Sequence, residues 1–110
     1  MRKLVKKILA AEKAKGRIDV SFVDDDEIRR LNKQFRRKNK PTDVLSFNYD
    51  AGKIIGDVII SRETTEKNAK KFGVTLKEEV KRLVIHGTLH VLGYDHGRQM
   101  RHAEEVYSQF

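Results

Sequence analysis

The chain has no cysteine, no tryptophan, one proline (Pro41) and seven glycines in 110 residues. Without cysteine there is no disulfide framework, no thiolate metal site and no thiol nucleophile. No apolar run approaches the roughly eighteen residues of a membrane span, and nothing resembles a secretory signal. The cytoplasm is the expected location, with no membrane partner. The scarcity of proline and glycine, beside 38% hydrophobic residues, excludes a disordered or low-complexity chain. A chain of this length buries roughly 65% of its unfolded surface, enough for one modest core. One domain over residues 1–110 is the expectation.

Acidic charge is also scarce. Sixteen Asp and Glu stand against 24 Lys and Arg, a net of +8. Residues 1 to 40 hold fourteen basic and six acidic side chains, and residues 41 to 110 hold ten of each. All the excess therefore sits in the first third. A one-sided basic surface points to a polyanion, nucleic acid before membrane, or else to a solvated face with no partner.

Apolar periodicity supplies the elements. Leu4, Val5, Ile8 and Leu9 predict a helix over 1–15 that stops at Gly16. Ile18, Val20 and Phe22 alternate as a strand does. Asp24 to Asp26 offer caps to a helix whose face is Ile28, Leu31 and Phe35. Residues 44–49 and 54–60 read as a hairpin around turn chemistry at 50–53. The Gly56-Asp57 pair marks a bulge or a close backbone approach. Ser61 and Gly73 bracket a helix over 62–72. Thr75 and Glu78 form a capping box for a central helix of about seventeen residues. Met100, Ala103, Tyr107 and Phe110 line a last helix starting near Arg98. The expected class is α+β: a small mixed sheet of about three to four strands packed with about five helices.

Three of the four histidines, His86, His90 and His96, fall within eleven residues. His86 and His90 are i, i+4 on the central helix, so both rings leave the same face. Gly93 can end the helix and let the chain return His96 towards them. Three neutral imidazoles with a fourth position open to water form a catalytic rather than a structural Zn²⁺ site. Ni²⁺ and Co²⁺ suit the same donors. The spacing H-x-x-x-H-x-x-G-x-x-H is that of the metzincin proteases, except that their general-base Glu is Gly87 here. A peptidase built on these ligands would lack its base. His102 lies outside the pattern and reads as solvated; Met100 reads as core. A metal-activated water needs an electrophile and charge stabilisation, and a basic chain recommends a phosphodiester. The Arg36-Arg37-Lys38 loop is a candidate source of that charge, or a solvated basic loop.

The segment His86-Gly87-Thr88-Leu89-His90-Val91-Leu92-Gly93-Tyr94-Asp95-His96 resembles the signature H-G-x-L-H-L-x-G-Y-D-H of the YbeY family of bacterial rRNA-maturation endoribonucleases. Leu31-Asn32 through Phe35-Arg36, Lys38 and Lys40-Pro41-Thr42-Asp43-Val44-Leu45-Ser46-Phe47 is similar to the family's L-N-x-x-Y-R-x-K-D-x-P-T-D-V-L-S-F. Ile55-Gly56-Asp57-Val58 is similar to its L-G-D-I. The resemblance covers most of residues 28 to 96. It implies a Zn²⁺-dependent, single-strand-specific endoribonuclease that processes the 3′ end of small-subunit rRNA and serves ribosome quality control. Its partners would be rRNA and ribosomal components. His86, His90 and His96 would be the ligands, with His90 and Arg36 catalytic, Arg36 by binding phosphate. Asp57 or Asp95 would orient a ligand ring, or Asp95 would serve only as a turn residue. The alternative is a non-catalytic RNA- or ribosome-binding factor in which the metal staples helix to turn. Asn48 replaces the family's usual Pro, Phe35 its Tyr, Asn39 its Asp and Arg37 a common Gly. Family members usually carry a strand before the first helix, which is absent here. The sheet edge it would cover is either open or covered by another segment.

Overall fold

The computed structural model describes residues 1–49 and 52–110. Its elements are α1 (Arg2–Ala11), β1 (Arg17–Val23), α2 (Asp25–Arg36), β2 (Val44–Asn48), β3 (Ile54–Ser61), α3 (Arg62–Phe72), α4 (Leu76–Val91) and α5 (Arg98–Tyr107). The class is α+β, as expected. The sheet has three strands in the order β1-β3-β2. β2 and β3 form the antiparallel hairpin, and β1 runs parallel to β3. Of the hairpin turn read at 50–53, residues 50 and 51 lie outside the described residues.

Three helix starts follow from their caps. Asp24 accepts from the Glu27 amide, Ser61 from that of Thr64, and Thr75 with Glu78 completes the capping box. Each satisfies amides that the first helical turn leaves without partners. The first helix differs from its expected extent. α1 ends at Ala11, and Lys13 takes the left-handed conformation (φ 57°) that the sequence reading assigned to a glycine stop. Gly16 instead opens β1 at φ +117°, where a Cβ would lie 2.5 Å from Ile55 Cγ2.

The core gathers Leu4, Val5, Ile8 and Leu9 of α1, Val58 and Ile60 of β3, and Leu83, Val84 and Leu89 of α4. Each such side chain contributes about 1.5–3 kcal/mol by leaving water. Met100, Ala103 and Tyr107 close it from α5, while Phe110 stays exposed. Phe35 and Phe22 depart from their expected burial. Phe35 is 56% exposed and meets Phe47 edge-on at 5.3 Å. Phe22 is 41% exposed because β1 is an edge strand with a groove beside it.

α4 lies close against the sheet at two glycines. A Cβ on Gly87 would sit 2.6 Å from Val58 Cγ1, and one on Gly56 would sit 2.4 Å from Val91 Cγ1. Gly56 also adjoins a register shift, since Arg17 pairs with Ile54 but Ile18 pairs with Gly56. Both readings of the Gly-Asp pair hold, a bulge and a close approach. Ser46 Oγ donates to the Gly87 carbonyl and Asn48 Nδ2 to that of Val91, pinning β2 to the same turns of α4.

Candidate metal centre

His86 and His90 leave α4 one turn apart, and the helix ends just beyond them. The Gly93 amide bonds back to the His90 carbonyl with Gly93 at φ +97°, and the chain then delivers His96. One ring nitrogen from each histidine lies within 4.8 Å of the other two. His86 and His90 are half-buried and His96 is exposed.

The hydrogen bonds decide which nitrogens face inwards. His90 Nδ1–H donates to the Tyr94 carbonyl at 3.0 Å. His86 Nδ1–H is held by the Glu104 carboxylate at 3.2 Å. When both rings are neutral each therefore presents a bare Nε2, and these two nitrogens are 3.2 Å apart. Two lone pairs at that distance repel unless a metal ion or a shared proton lies between them. Two imidazoles on one tetrahedral Zn²⁺ at about 2.0–2.1 Å have nitrogens about 3.3 Å apart. The donor set, tautomers and spacing fit a divalent metal. Burial first, then the neighbouring His86 and His96 rings, hold the His90 imidazole below the ordinary histidine range. It stays neutral at pH 7, the form that ligates.

Among the described residues neither expected orienting acid is hydrogen-bonded to a ligand ring. The Asp57 carboxylate accepts from the Tyr49 hydroxyl, and Asp95 lines the cleft beside the histidines. Their place is taken by the Tyr94 main chain and by Glu104 of α5. Sequence reading missed Glu104 because it is eighteen residues from its partner on another helix. Gly87 explains the missing protease base. Position 87 faces Val58 and Ser46 rather than the cleft, so the sheet leaves no space for a glutamate.

A cleft of about 750 Å³ joins the histidines to the basic loop. Arg36, Lys38 and Lys40 line it with His86, His90 and His96, whereas Arg37 does not. Arg36 is the last residue of α2, so its side chain can turn over β2. It donates to the Ser46 carbonyl at 2.7 Å, and its guanidinium lies 5.6 Å from the Phe47 ring centre. The loop is clamped at both ends. Buried Asn32 donates to the Lys40 carbonyl, and Asp43 accepts from Asn68 and the Val44 amide. Among the described residues no helix is long and apolar enough to cross a membrane.

These features define a small α+β protein whose central helix and following turn bring three histidines into a cation-bordered cleft. The sequence model of the family described as Endoribonuclease YbeY matches residues 1–109, and the chain belongs to that family. The Endoribonuclease YbeY of Aquifex aeolicus is 54% identical over 83 residues, covering 72% of this chain and 55% of that protein. That of Petrotoga mobilis is 40% identical over 110 residues, covering 97% of this chain and 76% of that protein. The solution structure of TM1509 from Thermotoga maritima superposes with a TM-score of 0.73 at 33% identity, over 97% of this chain and 75% of that one. This chain thus spans little more than half the length of the Aquifex relative.

Proposed function

We propose that this chain is a metal-dependent endoribonuclease, specific for single strands, that trims the 3′ end of small-subunit rRNA during ribosome maturation and quality control. The observation that carries this reading is the shared cleft, which three convergent imidazoles line together with Arg36, Lys38 and Lys40. His86, His90 and His96 would hold one Zn²⁺, or Ni²⁺ or Co²⁺ according to supply. When bound, the ion supplies Lewis-acid activation of a water and of a phosphoryl oxygen.

The protein's own groups supply position and charge. Arg36 uses one guanidinium N–H on the Ser46 carbonyl and keeps the others for non-bridging phosphate oxygens. Its contact with Phe47 stiffens the side chain, so less entropy is lost when phosphate binds. Lys38 and Lys40 neutralise flanking phosphates, which fixes register without reading sequence. A cleft of this size is on the scale of about one or two nucleotides, which supports a preference for unpaired strand. The domain over 1–110 is expected to act in the cytoplasm beside ribosomal components.

Protein purified without a His tag should carry about one metal ion per chain by elemental analysis. His90→Ala should lose both the ion and cleavage of a single-stranded RNA. Arg36→Glu should keep the ion and cut about 10²–10³-fold more slowly, the usual cost of removing one charge-stabilising donor. A wild type without metal would sink the site assignment, and unchanged cleavage in Arg36→Glu would remove that residue from the mechanism. Metal-dependent stability with no cleavage would identify a non-catalytic RNA-binding factor instead.

A further inference from the structure

α5 carries no metal ligand and does not line the cleft, yet it sends one carboxylate to His86. Glu104 Oε2 lies 3.2 Å from His86 Nδ1, with the two side chains 29% and 21% exposed. Among the described residues this is the one hydrogen bond that reaches His86 Nδ1. The three ligands are thus held in three ways. A main-chain carbonyl fixes the His90 ring, a side-chain carboxylate fixes the His86 ring, and the His96 ring makes no hydrogen bond among the described residues. An imidazole in water prefers neither tautomer strongly, and the wrong one would aim an N–H at the metal position.

We propose that Glu104 is the positioning residue that holds His86 in the Nδ1–H tautomer, and that α5 is thereby part of the metal site. The inference rests on the metal-centre reading above. Glu104 acts in three ways. It accepts the Nδ1 proton and leaves the Nε2 lone pair free. It orients the ring towards His90 Nε2, 3.2 Å away. Its negative charge raises the donor strength of the ring and partly offsets the charge of a bound dication. The packing of α5 places the carboxylate. Met100, Ala103 and Tyr107 are buried on one side of the helix, and Glu104 follows Ala103 directly. Exposed Glu105, one residue further on, has no such contact and is the natural control.

Two substitutions of similar size separate an acceptor from a filler. Glu104→Gln keeps a carbonyl for Nδ1–H; Glu104→Leu keeps the volume and the helix propensity but no acceptor. Zn²⁺ affinity is measured by competition with a chromophoric chelator. The His86 tautomer is read in metal-free protein from imidazole ¹⁵N shifts at about pH 8, above the ordinary histidine range. Glu104→Leu should bind Zn²⁺ about 10–100-fold more weakly, with His86 shifts moved towards the Nε2–H form. Glu104→Gln should lose less affinity and retain Nδ1–H, and Glu105→Leu should match wild type. Equal affinity in the Gln and Leu variants, or unchanged ¹⁵N shifts in Leu, would overturn the proposal. A wild type that binds no Zn²⁺ would instead overturn the metal-centre reading, and the tautomer measurement alone would then decide the role of Glu104.

Discussion

Arg37 closes α2 in the left-handed conformation, φ 58°, and Lys13 does the same just after α1. A side chain there crowds the following carbonyl at a cost of roughly 1 kcal/mol, which glycine avoids. In sequence, Arg37 replaces a common family Gly and belongs to the basic loop. The structure gives it a backbone role, outside the cleft that its neighbours Arg36 and Lys38 line. Arg37→Gly should therefore stabilise the fold by about 1 kcal/mol and raise the melting midpoint by about 4–8 °C. Differential scanning calorimetry checks this; a lower midpoint would mean that the Arg37 side chain does more than cap. Gly56 was legible as a glycine required by close packing, but the side chain that requires it, Val91, lies on another element, as Val58 does for Gly87.

At the scale of elements, the helix starts were legible because caps are local. Asp24, Ser61 and Thr75 each bond an amide three residues on. The joints between elements were not. Asp25 opens α2 but accepts from the Ser61 and Thr64 hydroxyls at the start of α3, at 2.5 and 2.6 Å. The Ser61 hydroxyl, then that of Thr64, hold its carboxyl below the usual carboxylate range, with Lys67 adding a smaller part. A depressed native pKa means stability that is present above the unfolded carboxylate range and is lost as pH falls through the native value. Asp25→Asn should cost about 1–2 kcal/mol near neutrality. The gap to wild type should close as pH drops below about 4, and urea titrations across pH measure it. A constant gap would assign the effect to packing. Glu79 is a second joint. It is 1% exposed inside α4, with both carboxylate oxygens bound by Arg82 and one by Asn68 of α3. Its position in the apolar arc of α4 gave no sign of this, because the full set of partners that makes burial tolerable reaches it only in the folded chain.

Over the whole molecule, the +8 charge of the first forty residues divides between sites. Arg36, Lys38 and Lys40 line the histidine cleft, while Arg2, Lys6 and Arg17 line the groove along β1, and these two cavities share no residue. Within the basic third, Lys38 and Lys40 border the histidine cleft, whereas Lys6 lies on the β1 groove. Reversing Lys38 and Lys40 together should weaken binding of a single-stranded RNA and reduce the slope of log K against log salt by about 1.4. Reversing Lys6 and Lys7 should change it less, as fluorescence anisotropy across a salt series will show. An equal loss from both pairs would restore the single extended surface. Among the described residues β1 pairs with β3 alone, so no strand covers its other edge. The helix caps, the hairpin, the α+β class and the grouping of the three histidines could all be read along the chain. They depend on period, turn chemistry and i, i+4 spacing, which are properties of near neighbours. Three things waited for the folded molecule: that Glu104, and neither Asp57 nor Asp95, hydrogen-bonds His86, that position 87 has no space for a glutamate, and that Arg36 shares a cleft with the histidines. Each depends on a contact between elements far apart in sequence, and its distance is set by how closely α4 packs on the sheet and α5 on α4.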